Sequence, residues 1–211
     1  MTTLLLVGAT GVVGRNALQL ALAHPGIVRI VAPTRRPLQQ HPRLHNPQVD
    51  FDQLPVNADW WQVTSVVCAF GTTQAKAGSA AAFRKVDHDY PLKVAKIARQ
   101  AGASCFALCS STGADATSRF TYLQTKGELE DDLLKLGFPS VTILRPGFIE
   151  GERSDRRPLE IVTGALLRCL RPLIPRRFRL SPATAIARLL IEAAVAGVPG
   201  RHIVEAGDIV D

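Results

Sequence analysis

A short apolar run at residues 4–7, Leu-Leu-Leu-Val, is followed at once by Gly8-Ala9-Thr10-Gly11-Val12-Val13-Gly14 and then by a helix-like segment over residues 15–23. Strand, glycine loop and helix in that order constrain the fold more than any other feature of the chain. Glycines at this Gly-x-x-Gly-x-x-Gly spacing permit a tight turn. They also let backbone N–H groups approach a pyrophosphate, and the helix N-terminus adds a partial positive charge. The loop therefore predicts a dinucleotide site formed by Gly8, Thr10, Gly11, Val12, Val13 and Gly14.

The remaining segments extend the same pattern. Apolar, strand-like runs cover residues 27–32, 49–51 (an edge-like third strand), 65–70, 105–109 and 141–144. Helical patterns cover residues 86–101 and 123–136, each ending at a glycine, Gly102 and Gly137. Strands alternating with helices imply βαβ units, and near-continuously apolar strands imply a sheet covered on both faces. The fold class expected is α/β, a doubly wound parallel sheet of Rossmann type with a small C-terminal substrate lobe. Ser181-Pro182 reads as an N-cap with proline at the first helical position, opening a helix that runs to about Ala196 before Gly197. With 211 residues, one domain over 1–211 is expected, with residues 151–182 as an arginine-rich substrate-side or interaction segment within it.

The formal charge is +7, with 25 basic and 18 acidic residues. Residues 153–179 carry eight arginines against Asp155 and Glu160, and so hold most of the surplus. Their middle, residues 159–170, shows a helical apolar stripe at Leu159, Val162, Leu166 and Leu170. An acidic protein partner, an anionic membrane surface, an anionic substrate and a solvated face remain open for it. Nucleic acid is disfavoured, because no recognition motif or aromatic interleaving accompanies the charge.

No run of 18 apolar residues and no basic, apolar leader pattern is visible. The four cysteines form no Cys-x-x-Cys pair, so reduced, buried thiols in a cytoplasmic protein are expected. No metal site is expected: His41 and His45 are four apart in a proline-containing loop without further ligands. The Gly-x-Ser-x-Gly hydrolase elbow is absent.

A site for NAD should carry an acid about 20 residues past the last glycine, to hold the ribose 2′-hydroxyl. The chain has Thr34-Arg35-Arg36 there. Guanidinium groups suit a 2′-phosphate, so NADP(H) is expected in preference to NAD(H). The alternative is that two exposed arginines decorate a loop. By placement, Asp50 and Phe51 would line the adenine. The small residues of Ala69-Phe70-Gly71-Thr72 would let backbone approach the cofactor.

Tyr122 and Lys126 are spaced to share one face of a helix. A phenol ionises near pH 10, too high for proton exchange at neutral pH unless a nearby ammonium favours the phenolate. Such a pair could exchange a proton with a carbonyl or alcohol while hydride moves to or from a nicotinamide. Ser110-Ser111-Thr112, at the end of the fifth strand, offers a hydroxyl for the substrate oxygen. The bland alternative makes the serines turn residues and Tyr122 a half-buried ring.

The glycine loop, Ser110-Ser111, Tyr122-x-x-x-Lys126 and Arg145-Pro146-Gly147 occur in the order seen in short-chain dehydrogenases/reductases of the atypical or extended kind. The chain resembles these proteins. More narrowly, it is similar to the Tat-interacting-protein group through Phe70-Gly71-Thr72-Thr73, Lys76-Ala77-Gly78, Val86-Asp87-His88-Asp89-Tyr90, Ser110 through Asp115 and Tyr122 through Glu128. The resemblance implies that Tyr122 is the acid/base and that Lys126 binds the nicotinamide ribose and tunes the tyrosine. It also implies that Ser111 polarises the substrate oxygen and that Pro146, Gly147 and Phe148 line the nicotinamide. The substrate would be a small carbonyl compound or its alcohol. The chain departs from many relatives in carrying Asp87 where they have Asn. Members of this group also serve as NADPH-binding regulators, so a regulatory or scaffold protein without significant turnover is the alternative.

Overall fold

The computed structural model describes residues 1–150 and 180–209. Seven parallel strands form the central sheet: β1 Thr2–Val7, β2 Ile27–Val31, β3 Leu44–His45, β4 Ser65–Cys68, β5 Cys105–Cys109, β6 Ser140–Arg145 and, last in the chain, β9 Gly200–Glu205. Their spatial order is β3-β2-β1-β4-β5-β6-β9. A short parallel pair, β7 Phe148–Glu150 and β8 Leu180–Pro182, stands apart from that sheet. The helices are α1 Val12–Ala23, α2 Gln74–Ala77, α3 Ala80–Arg84, α4 Tyr90–Gln100, α5 Thr121–Leu134 and α6 Ala183–Ala196. This is the doubly wound Rossmann arrangement expected from the alternation of segments.

Period-two alternation sends the two sides of each strand into different cores. Leu5 and Val7 of β1 join Val66, Phe106, Leu108 and Ile143 in the core beneath α4 and α5. Leu4 and Leu6 join Val67, Ala107 and Leu144 in the core beneath α1 and α6. Because both faces are dry, the strands read as unbroken apolar runs.

Strand order reverses between β1 and β4, since β2 and β3 lie on one side and β5 onwards on the other. In open α/β sheets, ligands bind at the carboxyl ends of strands at this switch point. Gly8 follows β1 there, and Ala69 follows β4.

Three expectations are corrected. The third strand is Leu44–His45, not residues 49–51; Phe51–Gln53 is a 3-10 turn capped by the Asp50 carboxylate, which accepts the Asp52 N–H at 2.9 Å. Ser181 is not the cap of α6. It lies in β8, its hydroxyl accepts the Gly147 N–H at 3.1 Å, and Pro182 precedes the helix. The helix expected over residues 86–101 is in fact a π-turn at Lys85–Asp89, which continues α3, and then α4. Pro91 accounts for the π-turn. It has no N–H to offer Asp87, and its ring would strike the Asp87 carbonyl in a regular α-helix, so the ladder widens one turn earlier. The stripe at residues 159–170 and the arginine-rich residues 153–179 lie outside the described residues.

Candidate active site

The glycine loop divides its work among three positions. Gly8 has φ +85°, and a Cβ there would meet the Ala69 carbonyl oxygen at 2.4 Å. A Cβ on Gly14 would come within 2.0 Å of the Gly8 oxygen. These two glycines let β1, β4 and α1 approach one another. Gly11 differs: it is exposed, its φ of −76° suits any residue, and it precedes α1 with no side chain capping the helix. The first turn also lacks an acidic residue. Exposed Thr10 and Gly11 therefore front a helix N-terminus whose amides are available to an anion. Val12 is half-buried, while Val13 is in the core under β1. The loop fits a bound pyrophosphate.

Past β2, Arg35 and Arg36 are both exposed, and neither guanidinium has a hydrogen-bond or ion-pair partner among the described residues. Their loop is well held. Buried Thr34 donates its hydroxyl to the Arg36 carbonyl at 2.6 Å. Asn46 donates to the Ala32 carbonyl and, at 2.8 Å, to the Thr34 hydroxyl, and its own oxygen accepts the Leu38 N–H. Thr34 therefore shapes the loop with its side chain and leaves the two arginines facing solvent. Nothing local in the sequence marks Asn46, whose partners lie 8 to 14 positions back.

Phe51 is in the core, with its ring edge-on to Phe70 at 4.9 Å and tilted against Tyr90 at 5.6 Å. Asp50 spends its carboxylate on the turn. An adenine-lining role for this pair thus narrows to the exposed Asp50 edge. After β4, the Ala69 carbonyl backs Gly8, exposed Gly71 follows, and the Thr72 N–H donates to Asp87 Oδ2 at 2.9 Å.

Helix α5 carries Tyr122, Lys126 and Glu130 at successive i, i+4 positions, one polar stripe. Tyr122 is half-buried on the fully buried Phe83 ring, 5.5 Å between centroids, and its hydroxyl has no partner among the described residues. Lys126 is only 4% exposed, and its Nζ lies 2.8 Å from Oδ1 of Asp87, which is itself shut off from solvent. The contact is an ion pair, not a well-aligned hydrogen bond. Burial pushes the Lys126 pKa down, but the Asp87 carboxylate and Tyr122 outweigh it, so the net shift is upward and the side chain is an ammonium.

Glu130, 2% exposed, accepts hydrogen bonds from Ser110 Oγ and from Arg145, whose Nη2 lies 2.6 Å from Oε2. Ser110 is thus committed to the scaffold. Ser111 is half-buried at the mouth, and among the described residues its hydroxyl makes only a long 3.4 Å contact with the Thr112 carbonyl. Thr112 donates to the Pro146 and Arg145 carbonyls at 2.9 and 2.8 Å, tying the serine loop to the loop after β6. There Pro146 is buried, Gly147 is fixed by Ser181, and Phe148 stands 68% exposed.

Gly127 completes the assembly. A Cβ there would lie 2.2 Å from the Ala116 amide, so only glycine lets the 114–116 backbone lie against α5 beside Lys126. A glycine inside a helix costs about 1 kcal/mol relative to alanine, and that local penalty was the signal available in the sequence. Among the described residues, no group of three His, Cys, Asp or Glu side chains could hold a metal ion.

No protein-family model matches the chain. Two curated relatives are the protein named fmp52, mitochondrial, of Emericella nidulans, 38% identical over 77% of this chain and 73% of its own length, and FMP52, mitochondrial, of Candida albicans, 40% identical over 75% and 72%. Among solved structures, MoeE5 in complex with UDP-glucose and NAD superposes with a TM-score of 0.72 at 18% identity, over 99% of this chain and 79% of its own. Bordetella bronchiseptica WbmH in complex with NAD+ gives 0.70 at 17%, over 98% and 76%. These structures share the Rossmann fold of this chain, and both of them hold NAD. The mitochondrial designation of the relatives overturns the cytoplasmic expectation drawn from cysteine usage. Cys68, Cys105 and Cys109 are indeed free and buried, but a thiol sealed in a core reports nothing about the compartment outside it. With this glycine loop, this sheet order and these relatives, the chain belongs to the FMP52 family and has the Rossmann fold.

Proposed function

We propose that the chain is an NADP(H)-dependent oxidoreductase that reduces a small carbonyl compound or oxidises the corresponding alcohol. The observation that carries this reading is the buried Lys126 ammonium one helical turn from Tyr122, at the carboxyl end of a Rossmann sheet. The amides opening α1 bind the pyrophosphate, and Arg35 and Arg36 bind the 2′-phosphate. Ser111 holds the substrate oxygen, and Tyr122 exchanges a proton with it while Lys126 favours the phenolate. When bound, the nicotinamide supplies or accepts the hydride. Following the relatives' names, the protein acts in mitochondria.

Purified protein should oxidise NADPH in the presence of one or more members of a carbonyl panel, and Tyr122→Phe and Lys126→Ala should each abolish most of that turnover. Unchanged turnover in both variants would sink the mechanism. The eight arginines of residues 153–179 favour a second reading, an NADPH-binding regulator that docks an acidic protein or an anionic membrane. Tight NADPH binding with no turnover on any substrate, and with cofactor-dependent capture of an acidic partner or of anionic vesicles, would select it.

A further inference from the structure

The π-turn at Lys85–Asp89 buries two consecutive residues, Asp87 and His88. His88 faces outward-lying carboxylates, Asp89 at 2.8 Å and Asp132 at 3.2 Å. Asp87 instead enters the site. Its Oδ2 takes the Thr72 N–H on the loop after β4, and its Oδ1 meets Lys126 on α5. One carboxylate with no solvent exposure thus joins the cofactor side of the site to the proton-transfer side.

We propose that Asp87 is a positioning residue of the active site: it is the counter-ion that keeps Lys126 charged in a dry setting, and it fastens the Thr72 loop to the catalytic helix. The proposal rests on the oxidoreductase reading for its functional consequence, but not for the charge coupling itself.

Among the described residues, the titratable groups facing Lys126 are few. Tyr122 lies on its own helix, Asp87 on the π-turn, Cys109 at the end of β5 and Cys68 at the end of β4. Both thiols are neutral across the working range, because burial pushes Cys68 up to about 12 and Cys109 up to about 11. Asp87 is the one carboxylate among them. A fully buried lysine without an anionic partner favours the neutral amine. With Asp87 present, the stability that Lys126 contributes through its raised pKa persists through the neutral range and is lost only in strong alkali.

Asp87→Asn keeps the shape and removes the charge. Burial then acts on Lys126 without the largest influence that opposes it, and its discharge moves down toward neutrality. The variant's stability deficit should be largest near pH 7 and shrink toward pH 9, because the unfolded chain retains the proton longer than the folded one. Lys126→Met should abolish that pH dependence. In parallel, NADPH affinity of Asp87→Asn relative to the unmodified protein should fall about tenfold between about pH 7 and pH 9, as the ammonium that meets the ribose is lost.

A deficit that is constant with pH, or that persists unchanged in the Lys126→Met background, overturns the coupling. An affinity ratio that does not move with pH, with the stability coupling intact, overturns the positioning role. Failure of the unmodified protein to bind NADPH would instead sink the oxidoreductase reading and leave the stability test standing. If Asp87→Asn alone does not fold, the Asp87→Asn/Lys126→Met pair decides: recovered folding supports the coupling, and continued failure refutes it.

Discussion

Glu130 anchors the site helix to the sheet, and replacing it gives the sharpest structural test. Its carboxylate is 2% exposed and holds Ser110 Oγ together with Nε and Nη2 of Arg145. In Glu130→Leu, the guanidinium loses its buried partner. Breaking a buried pair on one side costs about 3–5 kcal/mol, and the lower end applies because Arg145 is 21% exposed and keeps Glu205 at 3.2 Å. The stranded Ser110 hydroxyl adds about 1 kcal/mol, and the apolar contacts of leucine return about as much. The net loss expected is about 3 kcal/mol. In urea, with a slope near 2 kcal/mol per molar, the midpoint should fall by about 1.5 M at unchanged slope. A double-mutant cycle with Arg145→Met should show coupling of about 2 kcal/mol. A loss below about 1 kcal/mol, or additive single effects, would refute the view that this pair fastens α5.

The glycine loop should separate fold from function. Gly14→Ala places a Cβ 2.0 Å from the Gly8 oxygen and should cost about 3 kcal/mol or more in thermal or urea unfolding. Gly11→Ala meets the Gly8 oxygen only at 3.3 Å, so it should fold with a loss of about 1 kcal/mol or less yet bind NADPH about tenfold more weakly. Equal effects of the two on folding would contradict that division. Peptide mapping after alkylation at about pH 8 should find Cys68, Cys105 and Cys109 unmodified in the native protein and modified after denaturation, since burial raises all three thiols.

What could be read from the sequence follows from whether the controlling forces are local. Leu4 to Gly14 is dictated by neighbours within one strand, one turn and one helix, and the structure keeps it nearly residue for residue. Leu44–His45 escaped notice because two residues between Pro42 and Pro47 carry no period. Strand β9 escaped because Gly200–Glu205 is a half-exposed edge with polar residues among its apolar ones. In the site, Tyr122 and Lys126 were visible through helical spacing alone. Asp87 was visible as a departure from many relatives, but its contact with Lys126 depends on a π-turn that follows from Pro91 four residues later. Glu130 joins Arg145 only when β6 is laid beside β5, and in the sequence Arg145 stands out only as the start of the Arg145-Pro146-Gly147 motif.

The central claim is that the switch point between β1 and β4 binds a 2′-phosphorylated dinucleotide through α1 and the Arg35-Arg36 loop. Calorimetric titration of the purified protein with NADPH and with NADH tests it directly. NADPH should bind about 10–100-fold tighter, from about 1.5–3 kcal/mol of charge-assisted hydrogen bonding, and Arg35→Ala/Arg36→Ala should erase the difference while leaving NADH affinity unchanged. Equal or tighter binding of NADH by the unmodified protein would contradict the account.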